Sequence, residues 1–166
     1  MTAGKAWVFG DEINTDLMAP GLYMKASNDV MAQHCLESIN PSFVKQVQPG
    51  DVVVAGHNFG VGSAREQAAL NFSTLKVGAI LAESFARIFY RNALNFGVPC
   101  VFFPEFADIG PGDELRVDAI AGRIENVSTG KRYRVDPLPE HLMEMIKAGG
   151  LMPYLKHKLS APGVRP

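Results

Sequence analysis

Cysteine is scarce in this sequence, occurring only as Cys35 and Cys100 among 166 residues. That separation fits neither a disulfide framework nor a CxxC metal motif, and an iron–sulfur cluster usually needs more thiolates than two. The four histidines lie far apart, without the spacing of metal ligands. We therefore expect that this chain itself binds no metal and no cofactor.

A surplus of basic residues is missing as well. The 16 lysines and arginines are matched by 17 aspartates and glutamates, so the chain has no excess positive charge for a nucleic-acid backbone and no polybasic tract for a membrane surface. No apolar run approaches the ~20 residues of a membrane-spanning helix, and the N-terminus has no secretory signal pattern. We expect neither nucleic acid nor membrane as a partner, and the cytoplasm is the default location.

The familiar motifs of nucleotide binding and of serine hydrolases are absent too, although the sequence has a glycine-rich turn. That turn lies in VVVAGHNFGVGSAREQAAL, residues 52–70. Arg65 stands where a GxGxxG motif would have its third glycine, and GK[ST] does not occur. A GxSxG nucleophile elbow is also missing. These absences argue against nucleotide binding and weaken the case for a hydrolase.

The pattern that is present predicts an α/β fold. Apolar strands at 52–56, 77–83 and 98–104 alternate with helix-forming segments at 65–75 and 84–97. Each connection is long enough for a helix, so the strands are expected to run parallel, and their unbroken apolar character predicts burial on both faces. Three further segments precede this core: a strand at 5–10, a loop at 11–24 and a helix at 27–39.

The C-terminal third follows a different pattern. Apolar and polar residues alternate in three short segments with glycine at the corners, which predicts a small antiparallel β layer packed against the first. A helix from Glu140 to Ala148 follows, and residues 157–166 are predicted to form a mobile tail. All 166 residues are expected to form one domain. The alternating pairs are Leu115 and Val117, Ile124 and Val127, and Tyr133 and Val135.

The helix predicted at 84–97 follows the second apolar strand. Ser84 is expected to be its N-cap, and Gly97 is expected to end it. The helical spacing of Phe85, Ile88 and Phe89 favours packing into the core over a cofactor site.

The glycine-rich turn is the strongest candidate for a ligand site. Gly56, Gly60 and Gly62 permit positive φ angles and a close approach of the backbone, and free amide N–H groups at the start of the following helix favour an anion. Asn58 is expected to fix the turn through side-chain hydrogen bonds. His57 lies beside the turn, but a lone histidine is more often structural than catalytic.

Ser63 and Arg65 carry the chemistry that the turn can offer. A guanidinium at the start of a helix presents a bidentate fork to a carboxylate, and the Ser63 hydroxyl could act as a nucleophile or a proton acceptor. The plainer interpretation is that Ser63 only caps the helix and Arg65 is a solvated surface group.

Four motifs, in order along the chain, carry a resemblance to a known family. They are DEINTDLMAPGLYM, AGHNFGVGSAREQA, AESFARIFYRNALNFGVP and PLPEHLMEMIKAGGLMPYL. From about Trp7 to Leu155, the chain resembles the small subunits of 3-isopropylmalate dehydratase, the separate swivel-domain chains of the aconitase family. The resemblance implies an aconitase-type swivelling β/β/α domain with a mostly parallel α/β core.

The resemblance also implies an activity. The chain would be the small subunit of an iron–sulfur hydro-lyase that dehydrates and rehydrates a hydroxy di- or tricarboxylic acid, such as 3-isopropylmalate in leucine biosynthesis. A large catalytic subunit would hold the 4Fe-4S cluster, which activates the substrate hydroxyl as a Lewis acid. The two chains would form a heterodimer or heterotetramer, and this chain alone would be inactive.

Residue by residue, the resemblance assigns roles to several side chains. In the family's GSSRE-like turn the first serine is the base that removes a proton from carbon, and the arginine helps to bind a substrate carboxylate; these match Ser63 and Arg65. A TD pair that lines the site in relatives matches Thr15 and Asp16. Lys25, in YMKAS, matches a YLRT-like loop that contacts the variable group of the substrate. The turn backbone at 58–62 completes the site.

The sequence departs from the family's usual GCGSSRE turn at two positions. Val61 replaces a cysteine that is not a cluster ligand in the family. Ala64 replaces the second serine, so one hydrogen bond to a substrate carboxylate is missing, a contribution of roughly 1.5–3 kcal/mol. The substrate could therefore be that of a homoaconitase or a dimethylmalate dehydratase, or another alkyl-malate. Two further hypotheses are a non-catalytic carboxylate-binding module of the same fold and, with weaker support, a free-standing enzyme with Ser63 as nucleophile.

Overall fold

A computed structural model describes residues 1–160, which contain one mixed seven-stranded β-sheet with helices packed against it. The strand order is β4-β3-β2-β1-β5-β6-β7. The assignment of all 166 residues to one domain stays a prediction. The strands are β1 (Thr2–Val8), β2 (Val52–Ala55), β3 (Ala79–Ala82), β4 (Cys100–Phe102), β5 (Glu114–Asp118), β6 (Arg123–Asn126) and β7 (Arg132–Arg134).

The predicted α/β class is confirmed, and β1 explains how its two parts are joined. Strands β1 to β4 pair in parallel, and β5 to β7 pair antiparallel. The second half of β1 pairs with β2, with Ala6 opposite Val52, while its first half pairs with β5, with Gly4 opposite Leu115. Because β1 is long enough to pair with both neighbours, the antiparallel strands continue the same sheet. Leu115 of β5 and Ile124 of β6 share one buried core cluster with Leu81 of β3, which confirms the predicted packing of the antiparallel strands against the parallel core.

The helices that precede or connect the parallel strands are mostly short. The helices are α1 (Thr15–Met18), α2 (Asn28–Ala32), α3 (Phe43–Gln46), α4 (Glu66–Thr74), α5 (Arg87–Asn95), α6 (Glu140–Lys147) and α7 (Leu151–Leu159).

The core lies around the central strands of the sheet and the helices packed on them. Strands β2 and β3 are fully buried, as their unbroken apolar character predicts. On one side of the sheet, phenylalanines from three helices and from the turn after β2 contact one another in the core: Phe43, Phe72, Phe89 and Phe59.

The segment at 11–24, predicted to be a loop, contains regular structure. The Asn14 side chain accepts a hydrogen bond from the Leu17 N–H and caps α1, and a 3₁₀ helix follows at Gly21–Tyr23. The prediction was wrong because Asn, Asp and Pro were interpreted as typical loop residues, although Asn is also a preferred N-cap residue. The helix predicted at 27–39 is shortened to α2, and Leu36 adopts a positive φ of 60°.

The predicted start of α5 was wrong, whereas its end was predicted correctly. Ala86 is the N-cap and makes no side-chain capping bond. The Ser84 Oγ is occupied elsewhere, since it accepts from the Asn58 N–H at 2.8 Å and hydrogen-bonds with His57 Nδ1 at 2.9 Å. Gly97 follows the last turn with a φ of 79°, as expected for a helix-ending glycine.

The C-terminal region holds a helix that the sequence pattern did not predict. Helix α6 ends at the Gly149-Gly150 pair as predicted, but α7 follows at once. Residues 157–159, predicted to begin a mobile tail, form the last turn of α7, and residues 161–166 of that tail lie outside the described residues. None of the helices in residues 1–160 is both long and apolar enough to cross a bilayer. The cytoplasmic location stays a prediction.

Candidate functional site

The site is built on the turn that follows β2. Asn58, Gly60 and Gly62 all have positive φ, at 59°, 83° and 115°. Gly60 is required for a second reason, because a Cβ there would overlap the side chain of Phe89. Asn58 is fixed through its backbone N–H, which donates to Ser84, and not through its side chain as the sequence suggested. The turn therefore has a backbone that few other residues could adopt.

The start of α1 holds the turn in place from the other side. Thr15 is buried, and its N–H donates to the Val61 carbonyl at 2.8 Å. Its hydroxyl donates to the Ser63 carbonyl at 3.0 Å. The two bonds hold the backbone at Val61 and at Ser63. Thr15 therefore fixes the position of Ser63 while the Ser63 side chain stays exposed to solvent.

Arg65 is held by two groups from the same N-terminal segment. Its guanidinium forms an ion pair with the Asp16 carboxylate, and its Nη1 donates to the Ala19 carbonyl at 3.1 Å. The Arg65 side chain is 26% exposed and that of Asp16 is 64% exposed. Arg65 is also the N-cap residue of α4. The plainer interpretation, with Ser63 as the cap and Arg65 as a freely solvated group, is therefore wrong.

Ser63 and Arg65 open into one cavity of about 480 Å³. Lys25 does not contribute to its wall; it is exposed in the segment after the 3₁₀ helix at Gly21–Tyr23. Asp16 does not line the cavity, but it forms an ion pair with Arg65, which does. The lining residues are Thr15, Gly60, Val61, Gly62, Ser63, Arg65, Ala86, Arg87, Ile88, Phe89, Arg91 and Asn92.

The far wall of the cavity comes from the first two turns of α5, which sequence reasoning missed. Arg87 and Arg91 are exposed, and Ile88, which was predicted to pack into the core, is 55% exposed. Phe89 is buried as predicted. A signal was available, because two arginines spaced four apart share one helix face, and helices that follow adjacent parallel strands begin at the same edge of a sheet.

Both cysteines lie deep in the core, away from the cavity. Cys35 and Cys100 are fully buried. Burial in apolar surroundings raises the pKa of both thiols above the ordinary cysteine value, so each stays protonated at neutral pH. Among residues 1–160, no three His, Cys, Asp or Glu side chains come together in a way that could hold a metal ion.

The Thr15 hydroxyl is expected to contribute measurably to stability. Thr15→Val keeps the shape of the side chain but removes the donor to the Ser63 carbonyl, so we expect the free energy of unfolding in urea to fall by about 1 kcal/mol. Thr2→Val is a matched control, because the Thr2 hydroxyl also donates to a backbone carbonyl, that of Gly50, far from the turn. If Thr15→Val were as stable as the unmodified chain, the hydroxyl would not be what holds Ser63.

Comparisons with known proteins agree over nearly the whole chain. The family model of the aconitase C-terminal domain matches residues 13–105, which include the turn. The 3-isopropylmalate dehydratase small subunit 1 of Thermotoga maritima is 47% identical over 166 residues, covering 99% of this chain and 100% of the relative. The isopropylmalate/citramalate isomerase small subunit of Methanocaldococcus jannaschii is 43% identical over 159 residues, covering 95% of each.

A solved structure is similar to the same extent. The crystal structure of a 3-isopropylmalate dehydratase from Methanocaldococcus jannaschii superimposes with a TM-score of 0.88 at 38% sequence identity. The match covers 95% of this chain and 94% of that one. The agreement therefore includes both the parallel and the antiparallel parts of the sheet.

Proposed function

Because this chain belongs to the aconitase C-terminal domain family, and within it to the 3-isopropylmalate dehydratase small subunits, we propose that it is the small subunit of a hydro-lyase. The reaction is the dehydration and rehydration of a hydroxy di- or tricarboxylic acid, with 3-isopropylmalate or a related alkyl-malate as the substrate. The observation that carries the proposal is the shared cavity of Ser63 and Arg65, the residues that match the family's catalytic turn.

Ser63 is proposed to act as the base. Its Oγ takes the proton from a carbon of the substrate, the electrons of that C–H bond form the double bond, and the hydroxyl leaves from the adjacent carbon. Rehydration reverses these steps with the two carbons exchanged. A serine hydroxyl is a very weak acid, so this use requires a closed, preorganised site with amide donors and a cation nearby. The rigid turn and the Arg65 guanidinium are groups of that kind.

Arg65 is proposed to bind a substrate carboxylate, with Asp16 orienting it. The Asp16 pairing and the Ala19 carbonyl occupy one side of the guanidinium. An arginine has five N–H donors in a fixed fork, so donors are left for a carboxylate in the cavity. Asp16 is then a positioning residue and not a direct substrate contact, which differs from the role that the sequence suggested.

The residues of this chain do not fit an iron–sulfur cluster. Its two thiols are buried and protonated, and a cluster usually takes three or four thiolates. We therefore propose that the 4Fe-4S cluster, which would supply a Lewis acid for the leaving hydroxyl, is held by a large subunit. The active form is then a heteromer, a heterodimer or a heterotetramer, and the Ser63 cavity faces the partner.

The identity of the acid depends on groups around the cavity. Ala64 removes one hydroxyl from the usual turn, and Lys25, with Met24 beside it, stands in place of the family's YLRT-like loop. The substrates of homoaconitase and dimethylmalate dehydratase therefore belong in the same test. A non-catalytic carboxylate-binding module is a second candidate function, which Ala64 favours. Submicromolar binding of a dicarboxylate to the isolated chain in a calorimeter would support the module.

The activity is tested by reconstitution with a cluster-bearing large subunit. The chain is mixed anaerobically with that subunit, and a panel of hydroxy acids is screened by the absorbance of the unsaturated product. We expect neither chain alone to turn over substrate, the isolated small subunit to carry no iron, and the mixture to dehydrate an alkyl-malate. Turnover by this chain without a partner, or a mixture inactive on every acid of the panel, would contradict the proposal.

A further inference from the structure

The proposed substrates carry at least two carboxylates, but the cavity's assigned residues provide one cation. Arg65 is that cation, and it is shared with Asp16. Lys25, which the resemblance assigns to the variable group of the substrate, does not line the cavity. A second carboxylate in a partly enclosed site needs its own cationic partner, because an unpaired charge taken out of water is costly. Other cations that line the cavity are therefore candidates for this partner.

Arg87 and Arg91 have the position and the chemistry for this role. They line the same cavity as Ser63 and Arg65. Being four residues apart, they project from one face of α5. Within the described part of the chain neither takes part in a salt bridge. Two like charges at this spacing repel each other, and a bound carboxylate between them would offset that repulsion.

The helix that carries the two arginines is fixed firmly relative to the turn. Phe89, between them in the sequence, is buried and packs edge-on against Phe59 with ring centroids 5.2 Å apart. Phe89 also lies so close to Gly60 that a Cβ at that position would overlap its side chain. Ala93, one turn further on, is fully buried. A site on a rigid, well-packed element holds its ligand groups more accurately than one on a loop.

We propose that Arg87 and Arg91 together bind the second carboxylate of the substrate, across the cavity from Arg65. This inference rests on the proposed function, since it names further binding residues of the same site. A guanidinium fork suits a carboxylate better than an ammonium does. Lys25 is then left to contact the variable part of the substrate.

The test uses the reconstituted complex and the variants Arg87→Gln, Arg91→Gln and the double variant. We expect KM for the hydroxy acid to rise roughly 10- to 100-fold, as for the loss of hydrogen bonds to a charged group, with a smaller change in kcat. Arg134→Gln is the matched control, because Arg134 is an exposed arginine on β7 outside this cavity. Affinity for the large subunit is measured in parallel by titration and is expected to stay unchanged.

A pair of inhibitors makes the test specific to one carboxylate. Succinate and its monoamide, succinamate, differ by one charge, so the unmodified complex should bind succinate more tightly. In the double variant this preference should largely disappear, because both changes remove the same interaction. An unchanged preference, an unchanged KM, or a loss of affinity for the large subunit in place of the KM effect would overturn the inference. An inactive unmodified complex would instead contradict the proposed function.

Discussion

Ser63→Ala is expected to lower kcat of the reconstituted complex by about 10²–10⁴-fold, the usual contribution of a positioned base. KM should change little, because the carboxylate-binding arginines stay in place. The Ser63 side chain is exposed and its carbonyl, not its hydroxyl, accepts the bond from Thr15. The substitution therefore removes the reacting group without disturbing the turn, and steady-state kinetics with the preferred acid measure its effect.

The neighbouring alanine provides a control at the same turn. Ala64→Ser introduces the hydroxyl that the family's GSSRE-like turn has at this position, and we expect this variant to keep its turnover and to lower KM. The double variant Ser63→Ala/Ala64→Ser has one hydroxyl, moved by a single residue. If the base must stand at position 63, the double variant should be as inactive as Ser63→Ala. Full turnover in either variant that lacks Ser63 would show that the base lies elsewhere.

Gly60→Ala is expected to have the largest effect on the stability of the chain. Gly60 has a φ of 83°, and a Cβ there would overlap the buried Phe89. A positive φ costs a residue with a Cβ about 1–2 kcal/mol, and overpacking a close-packed core adds roughly 1–3 kcal/mol. Both penalties fall on one substitution because the turn lies directly against α5.

Gly112 is a matched control for the backbone contribution. It has the same φ of 83°, but a Cβ there would meet no atom within 4 Å. Gly112→Ala should therefore show only the backbone penalty, and Gly60→Ala should lower the free energy of unfolding by roughly 1–3 kcal/mol more. Urea unfolding of both variants gives the difference directly. Equal losses would mean that Phe89 does not restrict the turn.

Much of the parallel core could be predicted from the sequence because its signals are local. The unbroken apolar runs at β2 and β3 require burial on both faces, and the connections between them have the length of a helix. Gly60 and Gly62 were predicted as turn residues because glycine favours positive φ. These are properties of short segments, and tertiary contacts did not override them.

The errors arose where long-range contacts decide the structure. Ser84 looks like a helix cap, but its hydroxyl is taken by Asn58 and His57, which come from a distant part of the chain. Ile88 fits an apolar helical stripe, yet that edge of α5 borders the cavity. Spacing along one helix predicts which residues share a face, but it does not predict what that face contacts.

For the site residues, too, local sequence motifs predicted which residues take part, but not the contacts that they make. The family motifs indicated Ser63, Arg65, Thr15 and Asp16 from the sequence, and the structure brings all four together around the turn. The contact that each residue makes was not predictable, because it depends on which distant segment of the chain packs against the turn. Thr15 holds the Ser63 carbonyl and Asp16 pairs with Arg65, so both act on the residues proposed to meet the substrate.

The central proposal is that this chain provides the Ser63 hydroxyl as the base, while the metal cluster of the reaction is held by the large subunit. A competition titration tests it most directly: a fixed amount of cluster-loaded large subunit is saturated with mixtures of the unmodified chain and Ser63→Ala, and turnover is recorded. We predict that Ser63→Ala binds equally well, so turnover falls in proportion to its share of the mixture. Turnover that stays constant as the unmodified chain is replaced would contradict the account.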